Sequence, residues 1–131
     1  LNKTSKSNSY PDLNTIIETK KAMKGKPVIA LINVSNPMVF SEFEKEVDAI
    51  VCDFGVQIEA QMDIISGKVE PSGLLPLQMP INMETVEKQF EDVPRDMIPY
   101  KDSLKNTYDF GFGLNWNGVI NDWRTTKYIN K

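Results

Sequence analysis

Side-chain catalysis near neutral pH draws on a short list of groups, and this chain lacks the commonest of them. Histidine is absent from all 131 residues. That removes histidine triads, histidine metal ligands and the usual neutral-pH proton shuttle together. The single cysteine, Cys52, ends the apolar run Ala49-Ile50-Val51-Cys52 and reads as a small buried core residue; alone it forms no internal disulfide and marks no compartment. What remains is 18 carboxylates, groups that serve as general acid, general base or nucleophile when two are held with their pKa values pushed apart. With so many present, finding two carries no weight, and position has to decide. Glu42, Glu44 and Glu46 fall on the solvated side of a short expected helix and read as surface charges. Asp109-Phe110-Gly111 reproduces a kinase tripeptide, but no glycine-rich phosphate loop or HRD loop accompanies it. Asp53 is different, because it closes an apolar run just before Phe54-Gly55, where a strand gives way to a turn. It is the one candidate substrate-binding residue, with helix capping as its competing role. No catalytic residue, metal ligand or cofactor is expected within the chain.

The elements that must position Asp53 can be read on both sides of it. Residues 1–10 are polar and form an expected arm, in which Asn2-Lys3-Thr4 matches a glycosylation acceptor too short to be specific. Pro11-Asp12 opens a helix with Asp12 as N-cap, and Leu13, Ile16, Ile17 and Met23 form its apolar stripe. Gly25 stops it, and Lys20, Lys21, Lys24 and Lys26 complement the dipole at its end. Residues 27–33 are a continuous apolar run, the pattern of a central strand covered on both faces. Ser35-Asn36-Pro37 breaks it. Ser41, with Glu44 three residues on, spells a capping box for a helix over 42–47.

A second buried strand over 49–52 leads through Asp53 and Gly55 into a helix over 56–66 that carries Ile58, Met62 and Ile65. Gly67 ends that helix, Pro71-Ser72-Gly73 turns, and residues 74–79 form a third extended segment closed by Pro80. Alternating strands and helices imply an α/β fold, a mainly parallel sheet with helices on both faces and right-handed crossovers. Ligands of such sheets gather beyond the carboxyl ends of the strands, here Asn33-Val34-Ser35 and Asp53-Phe54-Gly55. Further on, Asn82 caps a short helix over 83–89, and residues 90–99 read as an acidic, proline-bearing surface loop. Residues 108–116 alternate aromatics and glycines, as in an extended segment closely approached by another backbone. Trp123 and Tyr128 are expected to anchor the tail, residues 117–131, on the domain or on an absent neighbour.

The totals narrow the class. A chain of 131 residues is one domain or part of a larger one, and it can bury roughly two thirds of its unfolded surface. A net charge of −3 argues against a nucleic-acid partner. No apolar run approaches the ~20 residues of a membrane span. Without a starting methionine or a signal peptide, the first residue is expected to mark a cut or processed end.

Three motifs, in order, carry a family resemblance. Lys26-Pro27-Val28-Ile29-Ala30-Leu31-Ile32-Asn33 with Asn36-Pro37 resembles a strand and turn in the second domain of glycoside hydrolase family three. Gly67-Lys68-Val69-Glu70-Pro71-Ser72-Gly73-Leu74-Leu75-Pro76-Leu77-Gln78-Met79-Pro80 resembles that family's proline-serine-glycine and leucine-proline signature. Tyr108 to Trp116 resembles its closing aromatic-glycine segment, so the likeness runs from about Pro11 to Trp116. The resemblance implies a bacterial β-glucosidase-like enzyme, periplasmic or secreted, that cleaves β-linked glucosides with retention. It implies a three-layer α/β sandwich domain of which this chain is the back part, residues 11–116, between the polar arm and the tail. It also implies that the aspartate nucleophile belongs to a barrel domain, and the acid/base glutamate to a loop, both outside these residues. The implied partners are the glucoside or oligosaccharide substrate, reached through the full-length enzyme, and the missing barrel and front of the sandwich, or another chain completing the sheet.

Two departures stand out: Leu74 occupies the position where the family usually has arginine, and Gly55-Val56-Gln57-Ile58-Glu59 keeps little of the family's proline-glycine-glutamine-glutamate-glycine turn. Retaining glycosidases need two carboxylates ~5–5.5 Å apart across the scissile bond, and no pair is marked out here. The chain therefore reads as the C-terminal segment of a glycosidase, inactive alone. The alternatives are a non-catalytic carbohydrate-binding or interaction module of the same fold and, with least support, a small independent hydrolase.

Overall fold

Two short apolar runs make the central pair of strands. In the computed structural model, which describes residues 10–90 and 92–129, strand β1 (Ile29–Asn33) lies parallel to β2 (Ala49–Asp53), in a register that sets Ile29 beside Ala49 and Asn33 beside Asp53. Single bonds extend the pairing at both ends, Asp48 N to Val28 O at 2.9 Å and Val34 N to Asp53 O at 2.8 Å. The pleat sends alternate side chains to opposite faces. Ile32, Ile50 and Cys52 pack on the core, while Ile29 and Leu31 remain 42 % and 39 % exposed. The expectation of a central strand covered on both faces is therefore corrected, since the described residues cover one face and leave the other partly open.

Helix α1 (Tyr10–Ala22) precedes β1 and packs Leu13 and Ile16 against the core. It starts early enough to place Asp12 within its first turn, so this carboxylate complements the helix dipole rather than forming the N-cap. Lys24 and Gly25 leave the helix with φ of 48° and 87°, the left-handed exit that glycine favours. Lys20 and Lys21 lie in the last turn, and Lys20 Nζ reaches Asp48 Oδ2 at 2.6 Å. Asp48 also accepts from Val28 N at 2.7 Å, tying the end of α1 to the entries of both strands.

The acidic segment after β1 is not the single capped helix that its sequence implies. It forms two 3-10 turns, Phe40–Glu42 and Glu44–Glu46, and Ser41 makes no cap, its hydroxyl donating instead to Ile81 O at 2.9 Å. The reason lies in Phe40 and Phe43, both buried. Residues three apart eclipse on a 3-10 helix, so this winding sends both rings into one core. Phe40 stands edge-on to Phe43 at 5.1 Å and to Tyr108 at 5.6 Å; Tyr108 in turn meets Tyr100 at 5.3 Å and Phe112 at 4.9 Å. Met79 is wholly buried among them.

Residues 74–79 do not form the expected extended strand: the chain bends at 76–77, pairs only through an isolated bridge at Pro80 and does not join the β1–β2 sheet. Pro76 and Pro80 have no N–H to give a ladder, and the segment makes scattered bonds to residues 98–100 and 108–112 instead. Leu75 N donates to Phe112 O at 2.7 Å and Gly111 N to Leu75 O at 2.9 Å. Met79 N donates to Tyr108 O, Tyr108 N to Tyr100 O, and Tyr100 N back to Met79 O at 2.7–2.9 Å, a closed triangle of three segments.

The remaining elements are short. Helix α2 (Ile58–Ile65) lies between Gly55 and Gly67, both at positive φ, and buries none of its residues fully. Helix α3 (Met83–Lys88) has the expected Asn82 cap, whose Oδ1 accepts from Thr85 N at 2.9 Å. A hairpin, β3 (Leu114–Asn115) with β4 (Gly118–Val119), leads to α4 (Trp123–Ile129). Trp123 is 76 % exposed and does not anchor the tail on this domain, whereas Ile120 is buried and its N–H donates to Gly113 O at 2.9 Å. The arm over residues 1–9, its Asn2-Lys3-Thr4 pattern and the Tyr128 ring lie outside what the structure describes. Among the described residues the result is helices around a two-stranded parallel sheet, compatible with an incomplete α/β domain. No described helix is long and apolar enough to cross a membrane.

Candidate functional site

The two strand ends that topology singles out converge. Asn33 closes β1, Asp53 closes β2, and their parallel register sets them side by side. The Asn33 amide donates to Asp53 Oδ1 at 2.6 Å. The same oxygen accepts from Gly55 N at 2.8 Å and Val56 N at 3.2 Å, closing the turn that leaves the sheet. Gly55 holds φ at 97° there, a conformation that costs glycine little. The other oxygen, Oδ2, accepts from the Gln61 side chain at 2.5 Å, one turn into α2. Asp53 is thus a carboxylate only 5 % exposed that carries four internal donors.

The chemistry of that arrangement is specific. The Gly55 backbone donor, then the Asn33, Val56 and Gln61 bonds, hold the Asp53 carboxyl below its ordinary value against the opposing effect of burial. Asp53 is therefore an ionised acceptor at neutral pH rather than a proton donor. It binds the strand end, the turn and the following helix into one corner at the carboxyl ends of the two strands. Next to it, burial first and the Asp53 charge second push the Cys52 thiol up to about 11, which leaves a structural rather than nucleophilic cysteine. Gln61 was not legible in the sequence as part of this corner. It lies off the apolar stripe of α2, and a contact to a residue eight positions earlier has no periodic signature.

The Pro71-Ser72-Gly73 segment does not form the expected turn, the chain turning at residues 66–67 and bending at 68–69 and 76–77 instead, but it does meet the closing aromatic-glycine segment. A Cβ built on Gly113 would overlap the Gly73 carbonyl oxygen and lie 3.1 Å from Leu74 Cδ2. This is the close backbone approach expected of residues 108–116. From the tail, Arg124 Nη1 donates to Ser72 O at 2.8 Å while its Nη2 pairs with Asp122 Oδ2 at 2.7 Å. Among the described residues there is no cluster of three His, Cys, Asp or Glu side chains able to hold a metal ion.

The comparison with protein families decides what these joined motifs belong to. The model of the glycosyl hydrolase family 3 C-terminal domain matches residues 5–116. The chain belongs to this family. Among curated proteins, the family 3 segment is similar to "Probable beta-glucosidase C" of Aspergillus flavus, 33% identical over 104 residues that cover 76% of this chain and 16% of that protein. "Beta-glucosidase C" of Emericella nidulans is 32% identical over 75% of this chain and 16% of its own length. A "Periplasmic beta-glucosidase/beta-xylosidase" of Dickeya chrysanthemi is 25% identical over 82% of this chain and 15% of its own. The family 3 segment thus spans about a sixth of the length of these relatives. The first of them are fungal, so the bacterial part of the expectation gains no support. No solved structure gives a significant match.

Proposed function

We propose that the chain is the C-terminal segment of a retaining β-glucosidase-like hydrolase acting on β-linked glucosides. The nucleophile and the acid/base group lie outside these 131 residues, on a barrel domain and on the front part of a three-layer α/β sandwich. The match to a C-terminal domain family, whose matched segment is about a sixth of β-glucosidase relatives, carries this reading. The partly open face of β1 supports it, because an apolar strand face in a finished sandwich is covered by another layer. Within the proposal Asp53 acts on the sugar-facing side. Its internal bonds keep the Gly55 turn in shape, and that turn, rather than a spare carboxylate lone pair, meets the substrate or the missing barrel. Location outside the cytoplasm is part of the same proposal and follows the periplasmic name of the Dickeya relative.

The test compares two polypeptides on an aryl β-glucoside, the 131-residue chain and the product of its reading frame extended upstream. The longer protein should turn the substrate over with retained anomeric configuration, and the short chain should not. Turnover by the short chain, or an upstream frame without a barrel sequence, refutes the reading.

A further inference from the structure

We propose that Asn117 is a site of spontaneous, backbone-assisted deamidation, and that isoaspartate formed there loosens the tail from the rest of the chain. Asn117 lies in the turn between β3 and β4, just past the segment that matches the family. Of the asparagines in the sequence, it alone is followed by glycine. Asn117 and Gly118 are both exposed. The Asn117 backbone N–H donates to Asn115 Oδ1 at 2.9 Å, but its own side chain makes no hydrogen bond among the described residues. Its amide carbon is therefore open to water and to the backbone nitrogen that follows it.

The reaction uses that nitrogen. Gly118 N gives its proton to solvent base and attacks Asn117 Cγ. As the N–Cγ bond forms, the Cγ–Nδ2 bond breaks and Nδ2 leaves with a proton as ammonia. Water then opens the cyclic imide at either carbonyl. Breaking the bond from Cγ to Gly118 N gives aspartate, and breaking the bond from the Asn117 backbone carbonyl carbon to Gly118 N gives isoaspartate. Water is consumed, ammonia is released, and a neutral amide becomes a carboxylate with no change in oxidation state.

The surroundings favour this step at Asn117 over the other asparagines. Gly118 has no Cβ to shield its nitrogen, and nothing lies within 4 Å of where one would stand. The hairpin that holds it pairs only Leu114 with Val119 and Asn115 with Gly118. Such a short ladder is marginal alone and opens locally at little cost. Asn14 and Asn36 are exposed too, but Asn14 sits inside α1, and Asn36 precedes Pro37, which has no N–H to lose. The side chains of Asn33, Asn82 and Asn106 are engaged by Asp53, Thr85 and Asp102.

The two products differ in what they do to the fold. Aspartate keeps the path of the main chain. Isoaspartate routes it through Cβ and Cγ, which lengthens the turn and breaks the pairing of Asn115 with Gly118. The contacts next along the chain, Ile120 N to Gly113 O at 2.9 Å and Arg124 Nη1 to Ser72 O at 2.8 Å, then lose the hairpin that aligns them. The site follows from the turn and not from the glucoside reading, so either can fail without the other.

The test ages the 131-residue chain in neutral and mildly alkaline buffer, maps its peptides by mass spectrometry and labels isoaspartate with an isoaspartyl methyltransferase. Modification should appear first at Asn117, pass through the imide and accelerate with hydroxide concentration. Asn117→Gln, which has a longer side chain and an exposed position, should remove the signal there. Modification that appears first at another asparagine, or at Asn117 only after unfolding in urea, overturns the site. The isoaspartyl fraction, separated by chromatography, should exchange its Ile120 amide hydrogen faster than the fresh chain and faster than Asn117→Asp. Equal exchange in all three overturns the loosening of the tail.

Discussion

Gly113 lies directly against the carbonyl of Gly73, so the closing segment and the Pro71-Ser72-Gly73 segment pack backbone on backbone. The reason for glycine at 113 is space, whereas nothing lies within 4 Å of a Cβ built on Gly73. The two glycines therefore respond differently to alanine. Gly113→Ala has to push apart two backbones also held by the Leu75–Phe112 bond, and should cost about 2–3 kcal/mol as an overpacking change. Gly73→Ala should stay within about 1 kcal/mol. Urea unfolding midpoints for the two variants check this, and equal shifts would show that the close approach is not what holds the segments.

Acid stability should depend on the corner at Asp53. Its carboxyl is held below the ordinary value of 3.8 first by the Gly55 donor, and Asp48 and Asp122 are lowered as well, by Lys20 and Arg124 respectively. A group whose folded pKa is depressed stabilises fully above its unfolded value and loses that contribution as pH falls through the folded one. Stability should thus hold down to about pH 4 and fall below it. Asp53→Asn should lower the thermal midpoint at pH 7 and lower it by less at pH 3, below the ordinary value. An equal loss at both values would show that the charge on Asp53 plays no part.

The legible portion of this molecule was its local chemistry. The Asn82 cap, the positive φ of Gly25, Gly55 and Gly67, and the close approach at residues 108–116 all follow from residue type at one position. The Pro71-Ser72-Gly73 segment likewise carried the family. What sequence did not reveal depends on partners distant in the chain. The Ser41-x-x-Glu44 pattern is a capping box by spacing, but Ile81 O and Tyr100 claim those two side chains from 40 and 56 residues away. Gln61 in the Asp53 corner and Arg124 on Ser72 are of the same kind. The apolar run of β1 implies a fully covered strand because a continuous run states what a strand needs, not which residues supply it.

Cys52 should be slow to alkylate. With its thiol raised from 9.0 to about 11 by burial and by Asp53, its thiolate fraction at neutral pH falls about a hundredfold. Native protein should react with iodoacetamide on that slower scale, and urea-unfolded protein at the ordinary rate. Asp53→Asn should speed the native reaction by removing the nearby negative charge. Equal rates for native and unfolded chains would mean that the thiol is neither buried nor shifted.

The phenols of Tyr100 and Tyr108 should titrate late. Burial comes first and the Glu44 contact second, the Tyr100 hydroxyl donating to Glu44 Oε2 at 3.0 Å; together they push Tyr100 up to about 12, and Tyr108 shifts in the same direction, led by burial. The folded state then keeps protons that the unfolded state releases, so this stabilisation is complete below the ordinary phenol value of 10.0 and declines above it. Spectrophotometric titration should resolve two late phenols, and Tyr100→Phe should remove one of them and cost about 1–2 kcal/mol at neutral pH through the lost bond to Glu44. Normal titration of all the tyrosines in native protein would contradict the packing of the aromatic core.

On its own, the chain should self-associate. Strands β1 and β2 pair only with each other among the described residues, so each presents an unpaired edge. Ile29 and Leu31 line the open face of β1, Ile58 and Met62 stand exposed on α2, and Trp116 and Trp123 project from the hairpin and α4. Burying one leucine is worth about 1.5–3 kcal/mol. Leu31→Lys, which also charges an edge strand, should therefore weaken association by about tenfold or more while leaving the inward face of β1 intact. Light scattering across a concentration series should show a mass that rises with concentration in the unmodified chain and stays nearer the monomer in the variant. A clean monomer at every concentration, without any added partner, would mean that this open face does not drive association.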